Sequence, residues 1–562
     1  MTDFVAHVRA RLADDREFVF VRDDGSPVRL PFTELDRRAR ATAVWLAGRG
    51  LTDQPVLLLH PAGLDFTVAF LGCLYARVPA IPAPLPDTGA AHASRVRTLM
   101  RDAGARLVLT DSGHVSELSA FSACVADHAA ADPDAWTPPA MTAATIAYLQ
   151  YTSGSTSDPR GVEVSHGNLL HNLELFRLLA RDRPVRRLAG WLPHYHDMGL
   201  VGLQLQALHT GADLVFMSPA AFVARPVRWL ELISRYGADW TVSPDFGYAW
   251  CTRRVTDEQL AGLDLSTLTM AVSGAEPIRA GTLAEFERRF APAGFRPTAW
   301  NPGYGLAECT LMVTCVPQGQ GVTVRRFDPS ALERHRAVPA PEGTPLVACG
   351  PVSGLDLRIV EPDGSRSLAD GEIGEIWVSG PSVALGYRGR PAETRATFRA
   401  GDSAQGESAQ HGRWLRTGDL GFLLDGQLYV TGRIKDVIII NGRNLYPQDL
   451  EEAAARANPA AGRSAAFGVR RADGGEHVVV VQEMRRGQPG DLGETADRVM
   501  DQVTREFGIP LSLMLVARGA VRQTTSGKLR RRHMRELFLS GTLTPLHAEL
   551  EPALNDLLET VA

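Results

Sequence analysis

Residues 151–161 combine the side-chain types that bind phosphate. The stretch reads Tyr-Thr-Ser-Gly-Ser-Thr-Ser-Asp-Pro-Arg-Gly, and so offers hydroxyl groups, glycines and a guanidinium group. Glycine lets backbone N–H groups approach a polyanion, hydroxyl groups donate further hydrogen bonds, and Arg160 adds a charge with fork geometry. The spacing differs from a Walker A motif, because Gly154 is not followed by four residues and then Gly-Lys-Ser/Thr. A plain surface loop has a similar composition, so both interpretations stay open from this stretch alone.

A second polar segment, residues 191–200, contains two histidines and an acid. His194, His196 and Asp197 could be metal ligands, but no further cluster with ligand spacing accompanies them. The alternative is that the histidines are structural and hydrogen-bonded.

Two glycine-containing segments follow apolar runs and offer surfaces for a flat ring. In residues 273–277, Gly274 and Ala275 are small enough to let a ring lie against the backbone, although a strand-end turn predicts the same composition. Further along, Tyr304 offers an aromatic face, and Glu308 offers a carboxylate that could hold Mg²⁺ near phosphate oxygens.

Two more segments place a single charged residue beside a glycine. Residues 417–419, Thr-Gly-Asp, predict a tight turn in which Asp419 either caps its own backbone or binds the hydroxyl pair of a ribose. Residues 524–528 deliver Lys528 on a glycine-containing turn. This lysine is either part of a solvated basic stretch or a point charge for a reacting phosphate or carboxylate.

Composition predicts no general attraction to nucleic acid or to anionic membranes. The chain has a formal net charge of -5. Its 44% hydrophobic and 22% charged residues are typical of a globular protein. Its length of 562 residues predicts more than one domain. Its six cysteines form no CxxC pair, which argues against a zinc site or disulfide framework and favours a reducing cytoplasm. No signal peptide is recognisable in residues 1–16, and no apolar run reaches transmembrane length, so export and membrane spanning are not expected.

Apolar runs alternate with amphipathic segments through the first two thirds of the chain. Residues 56–60 and 106–110 are typical of buried strands, whereas residues 32–47 and 63–76 have helical spacing. This alternation predicts an α/β fold of helix-covered parallel sheets with ligand loops at the carboxyl ends of the strands. The phosphate-like loop follows the apolar run 146–150, and so lies at such an end.

The pattern changes after residue 330. Residues 371–379 and 427–431 alternate like short antiparallel strands, while residues 399–412 lack periodicity and predict a mobile surface loop. Beyond residue 432 the chain predicts a compact α+β unit that is large enough for its own core. The predicted division is an N-terminal domain, residues 1–432, with a β subdomain at about 330–432, and a C-terminal domain, residues 433–562.

Taken together and in this order, these segments resemble the adenylate-forming superfamily of acyl-CoA synthetases, peptide-synthetase adenylation domains and luciferases. Residues 151–161 are similar to its phosphate loop, 304–308 to its Tyr-Gly-x-x-Glu motif and 417–419 to its Thr-Gly-Asp motif. Residues 432–436 resemble its hinge, and Lys528 aligns with its adenylation lysine. The resemblance implies a large N-terminal domain of two helix-covered, mainly parallel sheets plus a small β subdomain, and a small mobile α+β C-terminal domain.

The resemblance also implies roles for individual residues, with ATP as the nucleotide and Mg²⁺ as its cation. Lys528 is the implied catalytic cation, His196 is expected to position the acyl carboxylate or gate its tunnel, and Lys435 is the implied hinge. The metal is expected at Glu308 and Thr156. The implied nucleotide-binding residues are Thr152, Ser153, Gly154, Ser155, Thr156 and Arg160 at the phosphates, Gly274, Ala275, Tyr304 and Gly305 at the adenine, and Asp419 and Arg433 at the ribose.

Three stretches, residues 191–200, 217–230 and 443–451, narrow the resemblance to fatty acyl-AMP ligases. Residues 322–349 resemble the insertion that marks this branch and restricts movement of the C-terminal domain. Such enzymes form acyl-AMP with release of pyrophosphate and pass the acyl group to the phosphopantetheine arm of an acyl carrier protein. The implied partners are therefore a fatty or related carboxylic acid and a carrier protein, in polyketide or lipopeptide biosynthesis.

Some residues depart from the family pattern. Arg160 stands where the phosphate loop usually ends in lysine. The arginine keeps the positive charge but carries it on a planar group that can form two parallel hydrogen bonds. Asp245 and Ala249 stand where Asn and Asp are typical, and we expect them near the acyl pocket, where they would change its length or polarity. Two alternatives stay open, an acyl-CoA ligase and a nonenzymatic adenylate-binding relative. The latter requires one of the lysine, glutamate and aspartate assigned above to be missing, and all three are present.

Overall fold

A computed structural model of the chain describes residues 3–13, 15–85, 90–125, 131–152, 159–180, 183–362, 364–398, 413–440, 443–470, 476–485, 491–524, 528–552 and 554. The strands within these ranges are β1 (Glu17–Val21), β2 (Pro27–Pro31), β3 (Val56–Leu59), β4 (Ala80–Ala83), β5 (Leu107–Leu109), β6 (Ala123–Cys124), β7 (Ile146–Thr152), β8 (Arg160–Ser165), β9 (Arg187–Gly190), β10 (Asp213–Met217), β11 (Trp240–Ser243), β12 (Met270–Ser273), β13 (Trp300–Gly305), β14 (Met312–Cys315), β15 (Val324–Phe327), β16 (Thr344–Pro351), β17 (Asp356–Val360), β18 (Gly374–Ser379), β19 (Leu415–Leu424), β20 (Gln427–Arg433), β21 (Ile438–Ile440), β22 (Arg443–Leu445), β23 (Ala461–Arg470), β24 (Glu476–Met484), β25 (Leu511–Val516) and β26 (Pro545–Glu549). The helices are α1 (Phe4–Arg9), α2 (Phe32–Ala47), α3 (Leu64–Tyr75), α4 (Ala90–Ala103), α5 (His166–Leu179), α6 (Asp197–Gly199), α7 (Gln206–Thr210), α8 (Pro219–Ala224), α9 (Val227–Tyr236), α10 (Asp245–Arg254), α11 (Asp257–Ala261), α12 (Ala280–Phe290), α13 (Pro329–Glu333), α14 (Pro391–Phe398), α15 (Pro447–Ala457), α16 (Leu492–Phe507) and α17 (Arg531–Leu539).

Two mainly parallel sheets form the core of the large N-terminal domain. The first has the strand order β6-β5-β3-β4-β7-β8, in which β7 and β8 pair antiparallel and the other neighbours are parallel. The second has the order β14-β13-β12-β11-β9-β10-β1-β2, with antiparallel pairs at its two edges. The predicted α/β fold with two helix-covered, mainly parallel sheets is confirmed.

The burial of strands and helices explains these layers. All four side chains of Val56–Leu59 are fully buried, as expected for a strand that helices cover on both faces. Helix α2 has the predicted bounds, and begins directly after Pro31. Helix α5 begins with a capping box, in which Ser165 Oγ accepts the Asn168 N–H and Asn168 Oδ1 accepts the Ser165 N–H. This box fixes the helix start that follows β8.

A six-stranded antiparallel sheet, β15-β16-β20-β19-β18-β17, forms the β subdomain. A two-residue turn, Asp425 and Gly426, joins β19 to β20, and both residues have positive φ, as in tight hairpins. The turn predicted at residues 417–419 is instead an irregularity within the bounds of β19, where the pairing with β18 shifts register and Gly418 has a positive φ. The loop predicted at residues 399–412 lies outside the described residues.

The smaller C-terminal domain has its own core and is docked on the larger domain. Strands β23, β24, β25 and β26 form its main sheet, and helices α15 and α16 pack on a cluster that includes Val480 and Val499. Arg443 of this domain donates to both carboxylate oxygens of Glu333 in helix α13, at 2.7 and 2.8 Å. The Asn444 amide also donates to the Glu333 carbonyl at 2.8 Å. These bonds connect the C-terminal domain to residues 322–349.

None of the helices in the described part of the chain combines the length and hydropathy that a bilayer-spanning segment needs. The six cysteines are all free thiols, and Cys124 is the most exposed of them.

Candidate active site

A cavity of about 530 Å³ lies at the carboxyl ends of β7, β12 and β13 and extends to the C-terminal domain. Parallel sheets are expected to bind ligands at this edge. Both domains contribute to its wall. The predicted site residues that the structure brings together in this wall are Arg160, His196, Gly274, Ala275, Tyr304, Gly305, Glu308, Asp419, Arg433, Lys435 and Lys528.

Asp419 is held by two donors from different elements. Its Oδ2 accepts a hydrogen bond from the Tyr304 hydroxyl at 2.8 Å, and its Oδ1 accepts one from Arg433 Nε at 2.9 Å. The Asp419 carboxylate is in turn the main reason that the pKa of Arg433 is raised above its usual value. Gly418 has a φ of 72°, which bends β19 where it enters the cavity wall. A carboxylate oriented in this way can accept further hydrogen bonds from a vicinal hydroxyl pair.

Glu308 lies in the wall and accepts a hydrogen bond from the Tyr387 hydroxyl at 2.8 Å. Burial raises the pKa of Glu308 above its usual value, and the hydrogen bond from Tyr387 opposes this shift. Tyr387 was not predicted from the sequence. Its context, Gly386-Tyr387-Arg388, contains no recognisable nucleotide-binding pattern, and only the folded chain brings it to Glu308.

Arg160 lies at the same end of the cavity. Its Nε is 3.0 Å from Glu393 Oε2, and its guanidinium carbon is 5.3 Å from the centroid of the Tyr387 ring. Tyr387 thus contacts both the acid and the cation at this end. Of the other predicted phosphate-binding residues, Thr152 is the last residue of β7. Ser153, Gly154, Ser155 and Thr156 lie outside the described residues.

The slot predicted for the adenine is built from close backbone contacts. A Cβ at Gly274 would lie 3.0 Å from the Gly303 carbonyl oxygen, so a side chain there would require these two strand ends to move slightly apart. A Cβ at Gly305 would collide with the Leu311 carbonyl, so only glycine fits this position. Ala275 has a φ of 65°, which is uncommon for a residue with a Cβ and marks a constrained strand end. Together with the Tyr304 ring, these positions can accommodate a flat heterocycle.

His196, Asp197 and Lys528 lie together in the cavity wall. His196 Nδ1 lies 2.7 Å from Asp197 Oδ1. Burial alone would raise the pKa of Asp197, but His196 and Lys528 outweigh it and hold this pKa below its usual value. Burial lowers the pKa of Lys528, and Asp197 is the largest opposing influence. A lysine from the small domain is therefore electrostatically coupled to acids of the large domain.

Lys528 is positioned by a short hairpin-like segment. The Thr524 N–H donates to the Lys528 carbonyl at 2.8 Å, and the Lys528 N–H donates to Thr524 Oγ1 at 3.1 Å. The residues between 524 and 528 lie outside the described part of the chain.

The predicted hinge residue, Lys435, is exposed in the turn that follows β20. The Ile434 N–H donates to the Gly418 carbonyl at 3.0 Å, and the Asp436 N–H donates to the Arg433 carbonyl at 3.0 Å. The residues on either side of Lys435 are therefore fixed, while its own side chain packs in no core. The bond from the Asp436 N–H to the Arg433 carbonyl spans Lys435, so a change in the backbone dihedrals of Lys435 would break it.

An apolar limb continues from the charged part of the cavity. Its wall includes Phe176 from α5 and Val242, Val272, Leu311 and Met312 from strands and the segments beside them. An alkyl or aryl chain attached to a carboxylate could be buried in this limb with its carboxylate near the cavity centre.

The positions predicted to modify the acyl pocket lie elsewhere. Among the described residues, the cavity wall does not include Asp245 or Ala249. Asp245 is fully buried and accepts hydrogen bonds from the Arg279 N–H at 3.0 Å and the Thr282 hydroxyl at 2.9 Å. Burial raises the pKa of Asp245 to about 6. Asp245 therefore fixes the start of helix α12 rather than the shape of the pocket.

A Mg²⁺ ion in this cavity would have few protein side chains as ligands. In the described ranges, no three His, Cys, Asp or Glu side chains cluster as a metal site. His194 packs against Phe66 with ring centroids 4.1 Å apart, and burial lowers its pKa to about 3. Mg²⁺ usually takes one or two carboxylates and completes its shell with phosphate oxygens and water. The cavity-lining carboxylate of Glu308 fits that pattern.

Comparison with known proteins gives a consistent result. A family model described as AMP-binding enzyme matches residues 6–388. A medium-chain-fatty-acid–[acyl-carrier-protein] ligase of Moorena producens is 41% identical over 548 residues, which cover 93% of this chain and 92% of that protein.

Solved structures extend the similarity to the whole architecture. A structure from studies of fatty acyl-adenylate ligases of E. coli and L. pneumophila has a TM-score of 0.86 and 31% identity, covering 96% of this chain and 98% of that chain. A fatty acyl-adenylate ligase of L. pneumophila in complex with acyl adenylate and pyrophosphate has a TM-score of 0.75 and 33% identity, covering 98% of each chain.

Proposed function

This chain belongs to the AMP-binding enzyme family, and from that premise we propose that it uses ATP to activate a fatty or related carboxylic acid as acyl-AMP. It then transfers the acyl group to the phosphopantetheine thiol of an acyl carrier protein. The observation that carries this proposal is that Lys528 of the small domain lines the same cavity as Tyr304, Glu308 and Asp419 of the large domain. The names of the similar ligases support the acid and the carrier protein as substrates.

In the first half-reaction, a carboxylate oxygen of the acid attacks the α-phosphorus of ATP. The bond from that phosphorus to the β-phosphate oxygen breaks, and pyrophosphate leaves. The carboxylate is already ionised at neutral pH, so positioning and charge neutralisation supply the acceleration rather than a general base. Lys528 neutralises charge that develops between the carboxylate and the α-phosphate, and His196 orients the carboxylate at the mouth of the apolar limb.

The nucleotide is held along the remaining wall. The loop residues Thr152, Ser153, Gly154, Ser155 and Thr156 bind the β- and γ-phosphates together with Arg160. Magnesium would be held by Glu308 with Thr156 and would add positive charge beside the phosphate oxygens. The adenine packs against the Tyr304 ring and the backbone of Gly274, Ala275 and Gly305, and Asp419 and Arg433 bind the ribose.

In the second half-reaction, the thiol gives its proton to water, its sulfur attacks the acyl carbon, and AMP leaves with the electron pair of the carbon–oxygen bond. The thiol needs the space near the carboxyl carbon that Lys528 faces in the first half-reaction. We propose that the part of the C-terminal domain that follows Lys435 rotates as a unit between the steps, and that Lys435 absorbs the dihedral change.

The test is to incubate the protein with ATP, Mg²⁺ and a panel of straight-chain and aryl-substituted carboxylic acids, and to detect acyl-AMP by mass spectrometry. A second incubation adds either coenzyme A or a holo carrier protein, with the Lys528→Ala variant as the inactive control. Acyl-AMP followed by an acylated carrier supports the proposal. An acyl-CoA product would assign the acyl-CoA ligase alternative, and the absence of acyl-AMP with every acid would refute adenylation.

The cytoplasm stays the predicted location.

A further inference from the structure

Strand β18 places a buried carboxylate, that of Glu375, in the wall of the cavity. The residue is only 2% exposed. Its Oε2 accepts hydrogen bonds from Trp377 Nε1 at 2.9 Å and from Arg416 Nε at 3.0 Å, and Arg416 Nη2 lies 2.8 Å from the same oxygen. Its Oε1 accepts the Gly418 N–H at 3.1 Å. Both oxygens therefore have the partners that a carboxylate needs when it is removed from water.

The bond to Gly418 lies at a bulge in the pairing of β18 with β19. In the register of these strands, Ile376 alone lies opposite three residues of β19, residues 417–419. The extra residues of a bulge are left out of the backbone ladder, so their N–H groups need other acceptors. Glu375 Oε1 is the acceptor for Gly418, and Thr417 Oγ1 donates to the Ile376 carbonyl at 2.7 Å. Side chains thus hold the shape of the bulge.

The bulge determines where the side chain of Asp419 points. Gly418, directly before it, has a φ of 72°, and glycine has no side chain that would restrict its dihedrals. The bond from its N–H to Glu375 therefore fixes a peptide unit that would otherwise rotate easily. Tyr304 and Arg433 hold the Asp419 carboxylate itself. Glu375 holds the backbone that carries it.

We infer that Glu375 is a positioning residue for nucleotide binding, which keeps the bulge at residues 417–419 in the conformation that directs the Asp419 carboxylate at the ribose. The inference rests on the proposed function and adds to it a residue that acts on the ribose through Gly418 and Asp419. It makes a specific claim about ligands. Loss of Glu375 should weaken the binding of ATP, but not that of dideoxy-ATP, the analogue that lacks both ribose hydroxyl groups.

Glutamine at position 375 disturbs this arrangement with little change in shape. The groups that face the carboxylate from Trp377, Arg416 and Gly418 are all donors. An amide has one acceptor oxygen, and its NH₂ group can only donate, so either orientation sets NH₂ against a donor. The charged Arg416 competes more strongly for the oxygen than a backbone N–H does. The Gly418 N–H therefore loses its acceptor.

Calorimetric titration of the full chain with ATP and with dideoxy-ATP tests the inference. The wild type should bind ATP more tightly than the analogue. In Glu375→Gln the ATP Kd should rise about tenfold, which corresponds to about 1.4 kcal/mol, while the Kd of the analogue should change less than about twofold. The matched control is Glu372→Gln, which removes an acid that accepts the Ala369 N–H at 3.0 Å and lies outside the described cavity wall. Both Kd values should stay unchanged in the control.

A second variant keeps the charge and changes only the reach of the side chain. Glu375→Asp retains a carboxylate for Arg416 but is shorter by a methylene group, so it no longer extends to the Gly418 N–H. It should lower the preference for ATP over dideoxy-ATP in the same direction, and it carries the test if the glutamine variant does not fold. In the double variant Glu375→Gln/Asp419→Asn, the ATP Kd should rise little beyond that of Asp419→Asn alone, because both substitutions remove the same ribose contacts.

A purely structural role of Glu375 predicts different results. An unchanged preference for ATP over dideoxy-ATP in both variants of Glu375 would overturn the inference, and so would an equal loss of affinity for the two nucleotides. Independent, multiplying effects in the double variant would also contradict it. Equal wild-type affinities for ATP and dideoxy-ATP would overturn it together with the role of Asp419. Because nucleotide binding needs neither the acid nor turnover, these results stand even where no acid yields acyl-AMP.

Discussion

Replacing Asp419 by asparagine should weaken ATP binding much more than it alters the fold. The side chain keeps its shape, so the strand pairing of β19 is retained. What changes is the number of hydrogen bonds that this position can accept. The wild-type carboxylate already accepts hydrogen bonds from Tyr304 and Arg433, at 2.8 and 2.9 Å.

The size of the effect follows from counting acceptor sites. A carboxylate offers about four lone-pair sites, so about two remain for the ribose hydroxyl groups after Tyr304 and Arg433 have bonded. The asparagine amide has one oxygen, and its NH₂ group can only donate, so one ribose bond is lost and the charge that strengthens the other disappears. A hydrogen bond to a charged group contributes about 1.5–3 kcal/mol, so the ATP Kd should rise about 10- to 150-fold.

Calorimetric titration with ATP, in the absence of the acid substrate, measures this Kd. Tyr304→Phe is the informative companion, because it removes one donor but keeps the carboxylate charge and the aromatic face. That variant should cost about fivefold in Kd. The matched control is Asp425→Asn in the hairpin turn, an exposed acid paired with Arg325 at 2.6 Å. An ATP Kd for Asp419→Asn within the range of the control would refute the assigned role of Asp419.

Three further predictions concern the lysine, the C-terminal domain and its docking. Lys528→Ala should abolish pyrophosphate exchange but leave the ATP Kd within about threefold, because the lysine acts on charge that develops during the reaction; normal exchange would contradict this. Burial raises the pKa of Asp449 to about 7 from 3.8, so the folded protein retains a proton that the unfolded chain releases, and the free energy of unfolding should fall as pH rises from about 4 to about 7. In urea titrations, Asp449→Asn should therefore raise the free energy of unfolding by about 2 kcal/mol at pH 8 and little at pH 4. A variant whose free energy of unfolding varies with pH as in the wild type would contradict this. Arg443→Ala, which removes the double hydrogen bond to Glu333, should speed proteolysis of residues 433–440 several-fold, whereas Arg456→Ala, which breaks ion pairs inside the C-terminal domain, should not.

Local sequence patterns predicted which helices and strands form better than they predicted which of them lie side by side. The bounds of α2 match the predicted helix because its apolar spacing is periodic and a proline precedes it. The pairing of β1 with β10 was not predictable, because nearly two hundred residues separate them and no local pattern encodes the partner. The same limit applies at residues 417–419, because no local pattern showed that they would form an irregularity inside β19.

The candidate site shows the same division. Residues within glycine-containing motifs, such as Glu308 and Asp419, were predicted because their context is unusual for a core. Tyr387 lies in an ordinary-looking segment, and its place in the cavity wall depends on long-range packing. Asp245 was expected near the pocket from its position in the family pattern, yet its hydrogen bonds hold the start of α12 instead. The sequence thus predicts functional residues that lie together in a motif, but not single residues that only the folded chain brings to the site.

The ion pair between Asp419 and Arg433 has a consequence for the fate of the intermediate. Arg433 is the last residue of β20, and Lys435 comes two positions later. A carboxylate of the nucleotide pocket therefore holds the chain immediately before the proposed pivot, so rotation beyond residue 433 leaves that pocket undistorted. The same bound AMP moiety can then serve as product of one step and leaving group of the next. On this basis the enzyme need not release and recapture its acyl adenylate between adenylation and transfer, and a hydrolysis-prone compound stays out of bulk water.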